Sequence, residues 1–144
     1  MTELSERQRD NIERTRQAFE IYRSGDIDGV LAYADPEVEV YLPSNLPNSG
    51  TFRGHEGYLT WISSWLEAWD DFTIEILGMD AIGDRHVVTT VRQSGTGRGS
   101  GIHVEMEAAY VTEMREGRFA ALHLYTTVED ARDVAEQREA AAPE

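Results

Sequence analysis

The chain has 144 residues, a net charge of −14, 27 acidic side chains against 13 arginines, and neither lysine nor cysteine. That length fits one domain with a sizeable core, and the missing cysteines exclude disulfides and thiolate metal sites. The acidic balance argues against nucleic acid and anionic membranes, which need a basic footprint.

The opening "MTELSERQRD" carries no signal-peptide pattern, and no apolar run is long enough to cross a bilayer, so a cytoplasmic protein is expected. Ser5 and Gln8 form a capping-box pattern. Ile12, Thr15, Phe19 and Tyr22 then recur at helical spacing, and Gly25 stops the run. Asp26 caps a shorter helix burying Ile27, Val30, Leu31 and Ala34, with Pro36 ending it. "EVEVYL" (37–42) alternates like a strand, and "PSNLPNSGTFRG" (43–54) reads as a long loop of the kind that often carries function.

A third helix is expected over roughly 55–69, with Tyr58, Trp61, Ile62, Trp65 and Trp69 on one apolar stripe. From Phe72 the period becomes two. "FTIEILGMD", "RHVVTTVRQS", "IHVEMEAAYVTEMR" and "RFAALHLYTT" read as four strands joined by glycine-containing turns, with Glu116-Gly117 as a tight hairpin. Thr127 and Asp130 cap a last helix that decays into an alanine-rich, frayed tail over about 132–144. The layout is α+β, with three N-terminal helices packed on one face of a strongly curved, mostly antiparallel sheet and a short C-terminal helix. Such a sheet closes into a cone with an apolar interior, the usual setting of a small-molecule site.

Several pieces, in this order and spacing, resemble the SnoaL-like group of the nuclear transport factor 2-like superfamily. They are "RSGDIDGV" (23–30), "DPEVEV" (35–40), "FRGHEGY" (52–58), "RQSGTGRGSG" (92–101) and "REGR" (115–118) followed by Tyr125. The resemblance covers about residues 8–131 and implies a single cone-shaped, cystatin-like domain over 1–144. It also implies a homodimer through the outer face of the sheet. The family includes isomerases, cyclases, hydrolases and non-catalytic binders. Counting from the shared turns, its catalytic positions fall on Ala18, Val40, Ala109 and Leu124, all apolar here, so none of its mechanisms carries over.

The same count places Ala109 inward, and alternation then points Glu107, Glu105 and His103 into the cone. On the preceding strand the inward set is His86, Val88, Thr90 and Arg92; on the last it is Leu122, Leu124 and Thr126, with His123 and Tyr125 facing out. A carboxylate enclosed in such a cone exchanges protons near neutrality unless a guanidinium holds it ionised. Glu107 is therefore the candidate proton-transfer group, Arg92 its electrostatic partner, and His86 or Tyr22 a hydrogen-bond donor. A solvated cross-strand ion pair is the structural alternative for Arg92 with Glu105 and Glu107. Tyr22, Tyr41, Trp61, Trp65, Val88, Thr90, Glu105, Ala109, Leu122 and Leu124 are the expected substrate-binding set, Tyr41 standing at the pocket mouth.

His103 belongs near the hairpin tip and His55 at a helix start. The His103-x-Glu105-x-Glu107 spacing lacks a partner histidine, so no metal is expected, and "GTGRGSG" lacks the ending of a phosphate loop. The resulting expectation is a cofactor-independent acid–base enzyme of isomerase, cyclase or hydrolase type acting on a small apolar molecule. The alternative is a non-catalytic ligand-binding or dimeric association module of the same fold.

Overall fold

The computed structural model describes residues 4–42 and 50–141. Helix α1 (Glu6–Arg23) begins at the expected capping box. The Ser5 hydroxyl accepts from the Gln8 amide at 3.1 Å, and the Gln8 side chain returns to the Ser5 amide at 2.9 Å. Asn11, Thr15, Ala18 and Phe19 form its buried stripe. Gly25 follows at φ +87°, a left-handed turn that glycine enters without strain. Asp26 then caps α2 (Ile27–Leu31) by accepting from the Gly29 amide at 2.9 Å.

Helix α2 is shorter than Pro36 alone would allow. The chain is already extended in β1 (Ala34–Leu42), and Pro36 lies within that strand. It is tolerated because the register slips between Ala34 and Glu39, where an amide is not required of it. The stretch expected to be loop contains β2 (Gly50–Arg53), antiparallel to β1; residues 43–49 lie outside the described residues. Helix α3 (Gly54–Glu67) follows and buries Tyr58, Trp61 and Ile62.

Four long strands complete the sheet: β3 (Trp69–Ile82), β4 (His86–Gly97), β5 (His103–Arg115) and β6 (Arg118–Tyr125). The order is β2-β1-β6-β5-β4-β3, antiparallel except for the parallel β1–β6 pair. Register shifts in the β3–β4 pair and between Glu113 and Met114 mark irregularities of the kind that bend long strands. The β5–β6 turn places Glu116 at φ 52° and Gly117 at φ 78°, the left-handed pair of a tight hairpin. The resulting curved sheet holds α1, α2 and α3 against its concave side.

Helix α4 (Val128–Ala141) is where expectation and structure part. It starts as read, with the Asp130 amide donating to the Thr127 hydroxyl at 3.2 Å. It then stays helical to Ala141 instead of fraying, because it lies across β4, β5 and β6 on the convex side. Ala131 and Ala135 pack there against Val88, Ala109 and Val111 as a second, smaller core. The main core, inside the cone, takes Ala108, Tyr110 and Met114 of β5 and Val91 of β4.

These two clusters fix the orientation of the strands, and they reverse the expectation for β4 and β5. Ala109, Glu107, Glu105 and His103 face outward, as do His86, Val88, Thr90 and Arg92. The inward residues are their neighbours Thr89, Val91, Gln93, Ala108, Tyr110 and Thr112. The assignment of β6 matches the structure: Leu122 and Leu124 lie in the inner core.

Candidate functional site

The interior of the cone is assembled from one face of α1, one of α3 and the concave side of the sheet. Helical spacing brings Ala18, Phe19 and Tyr22 to the same wall; α3 supplies Tyr58, Trp61 and Ile62 opposite. The sheet contributes Tyr110, Thr112 and Leu122. Aromatic edges fill most of the space. Phe19 meets Tyr110 edge-on at 5.3 Å between ring centroids, and Tyr58 meets Trp61 at 5.8 Å. What remains is a cavity of about 30 Å³, roomy enough for a water molecule but far below the usual size of a ligand pocket.

The polar groups of this interior are neutral. Tyr110 stands opposite Thr89 in the ladder, four residues along β4 from Gln93. The curvature of the sheet nevertheless brings its hydroxyl to the Gln93 carbonyl oxygen, to which it donates at 3.4 Å. The Gln93 amide nitrogen and the Thr89 hydroxyl are buried with no partner among the described residues. Burial pushes the hydroxyls of Tyr22, Tyr58 and Tyr110 above the ordinary phenol range, the Gln93 contact slightly opposing this at Tyr110. All three are therefore protonated donors at any physiological pH. Among the described residues no carboxylate or imidazole lines the cavity.

The expected site residues divide between the two sides of the sheet. Tyr22, Trp61 and Leu122 line the cavity, and Leu124 lies in the same core. Trp65 packs on Trp69 at 5.7 Å and Phe72 at 6.1 Å, away from the cavity lining. Glu105 and Glu107 are outside, with side chains 61% and 62% exposed, and Arg92 lies 3.7 and 3.5 Å from them and 3.9 Å from Glu75. This is the solvated cross-strand alternative, and the proton-transfer role expected of Glu107 is not open to a side chain on that face. Val88 and Ala109 are buried beneath α4, and Thr90 stands beside them on the outer face. Tyr41 is also outside, its ring stacked on His123 at 4.5 Å.

His86 is fully buried, but under α4. Its Nδ1 donates to Glu139 and its Nε2 to Glu113 at 3.1 Å, while Arg138 donates to the same Glu113 oxygen at 3.1 Å. Burial alone would depress the imidazole; the two carboxylates outweigh it and raise its pKa. Glu113 is held down to about 2, first by His86, with Arg138 reinforcing the effect against its own burial. Among the described residues no three His, Asp or Glu side chains are grouped to hold a metal ion.

Tyr110 and Thr112 line the cavity without being among the expected binding residues. The available signal is a lone phenol in "EAAYVT", flanked by residues that bury on either face.

The family model for the SnoaL-like domain matches residues 15–122, three quarters of the chain. The chain belongs to the SnoaL-like domain family. No curated protein is significantly similar to this SnoaL-like domain. Its fold recurs in a protein of Jannaschia sp. CCS1 assigned to the SnoaL-like polyketide cyclases, at 17% identity and a TM-score of 0.78, covering 99% of this chain and 100% of that one. It recurs in Bal32a from a soil-derived mobile gene cassette, at 18% identity and 0.77, covering 89% and 97%. TerC, co-crystallised with polyporic acid, matches at 21% identity and 0.73, covering 88% and 98%. At these identities the likeness is one of fold. No helix among the described residues is long and apolar enough to cross a membrane.

Proposed function

We propose that this SnoaL-like domain binds a small, largely apolar molecule inside its cone and holds one oxygen of it through tyrosine hydroxyls. The observation that carries this reading is the convergence of Tyr22, Tyr58 and Tyr110 on one cavity that no ionised side chain lines among the described residues. Tyr22 and Tyr58 make no hydrogen bond among the described residues, so both are free to donate. A carbonyl or phenolic oxygen in an apolar ring system meets that need; a charged ligand would lose its hydration without a counter-charge. The family's small-molecule binding and the ligand of TerC support the same reading.

Binding requires the cavity to widen. Tyr22, tilted against Phe72 at 6.2 Å, is the least buried of the three tyrosines, and its ring is the one proposed to swing aside. Cyclase-type turnover is the second reading, favoured by the same donors, since phenols polarise a carbonyl. It would be confined to substrates that need no protein base.

The test is a titration with 2-naphthol followed by tryptophan fluorescence, because Trp61 borders the cavity. Saturable quenching that disappears in Ala18→Leu, which fills the cavity, is the expected result. Quenching that persists undiminished in the filled variant, or is absent from the parent chain, overturns the reading.

A further inference from the structure

The convex side of the sheet carries a second hollow, unrelated to the cone. It measures about 560 Å³, within the range of small-molecule sites, against about 30 Å³ for the inner cavity. Its floor is Ala121 of β6, small enough to let a ligand approach the sheet.

Three arginines line this groove, Arg53, Arg115 and Arg138, facing three carboxylates, Glu37, Glu39 and Glu113. The groove is thus electrically balanced within a chain of net charge −14. Two of the carboxylates are engaged. Glu39 accepts from the Tyr41 hydroxyl and lies 4.0 Å from Arg53 Nε. Glu113 accepts from His86 and Arg138. Both Arg138 contacts fall on the single oxygen Oε1, leaving its other N–H groups uncommitted among the described residues. The side chain of Arg115 makes no ion pair among the described residues.

One wall is aromatic. Tyr41 borders the groove and stacks on His123 at 17° between planes, and His123 lies nearly parallel to Tyr125 at 8°. His123 is buried, with no partner on Nε2 among the described residues. Burial, then the nearby Arg138 charge, lowers its pKa to about 4, so the imidazole is a neutral plate. A three-ring stack therefore ends at the groove, beside guanidinium groups with donors to spare.

We propose that this groove is a ligand site for a planar aromatic carboxylate, its ring laid along Tyr41 and its carboxylate held by Arg115 and Arg138. Guanidinium groups bind carboxylates through paired, charge-assisted hydrogen bonds, and a ring on Tyr41 extends the stack. A simple anion leaves the aromatic wall unused; a neutral ring leaves Arg115 unpaired.

The test is a benzoate titration of the full chain, followed by NMR of the His123 ring protons, with acetate and benzyl alcohol as single-feature controls. Benzoate saturably shifts the His123 signals, and each control binds about tenfold more weakly or worse. Arg115→Gln, an exposed change that leaves the fold alone, weakens benzoate about tenfold, and Ala121→Leu abolishes binding by raising the floor. Saturating 2-naphthol, the cone probe, does not displace benzoate. Absence of a saturable shift, an equal response to acetate, or unchanged affinity in Arg115→Gln overturns the proposal whatever the cone binds.

Discussion

The imidazole of His86 stands 3.1 Å from Oε1 of Glu113 with none of its own side-chain surface exposed. This pair joins the first residue of β4 to the outer face of β5, and Arg138 and Glu139 draw α4 onto it. The helix fully buries only Ala131 and Ala135 there, with Val128 partly buried beside them, and the ionic contacts add to its attachment.

Stability is expected to peak near neutral pH. Glu113 has a folded-state pKa of about 2, below its ordinary 4.5, so its contribution is complete above 4.5 and is lost as pH falls towards 2. His123, lowered from 6.5 to about 4, favours folding fully above 6.5 and loses that contribution as pH falls through this range. His86 is raised above 6.5, so its contribution is complete below 6.5 and is lost as pH rises through the elevated value. Thermal unfolding midpoints from pH 3 to 9 check the two-sided profile. Glu113→Gln should lower neutral-pH stability by about 1–2 kcal/mol, since it removes a charged partner from a part-buried cluster in which His86 keeps Glu139, and should flatten the profile below pH 4.5.

Glu107→Gln is expected to do little. The side chain is on the solvated face, one of three carboxylates around Arg92. Urea unfolding should change by no more than about 0.5 kcal/mol, and quenching by 2-naphthol should be unaffected.

Tyr110→Phe leaves the buried Gln93 amide without a partner among the described residues. The expected cost is about 1–2 kcal/mol in urea unfolding, the desolvation of an unmatched polar group. Adding Gln93→Leu to the same chain should recover most of that loss, because both partners are then apolar. Non-additivity of the two substitutions is the measurement.

Leu122→Ala removes a buried side chain from the wall of the inner cavity. A cost of about 2–5 kcal/mol is expected, together with tighter uptake of apolar probes into the enlarged space. Calorimetric midpoints and 2-naphthol titration read the two effects separately.

The helical caps, the tight Glu116-Gly117 turn and the strand sequence were legible because each is a local signal: a side chain beside an amide, or a glycine at positive φ. The orientation of β4 and β5 was not. Along Ala108–Thr112 and His86–Thr89 every residue is buried, so the alternation of polar and apolar that normally reveals the inner face is erased. The cause is α4, which covers the convex side and makes Val88, Ala109 and Val111 as apolar as their inward neighbours. A tail rich in alanine and charge looks too weak to dock, yet Ala131 and Ala135 pack closely on Val88, Ala109 and Val111. With the register shifted by one residue, every polar candidate on those two strands changed sides, while β6, read correctly, placed Leu122 and Leu124 in the core.

Because the sheath over β4 and β5 follows β6 along the chain, those strands leave the ribosome before it does. Val88, Ala109 and Val111 then form a bare, sticky stripe on a nearly finished sheet, awaiting residues 128–141. Nascent chains halted near Thr127 would therefore be the form of this protein most dependent on chaperones.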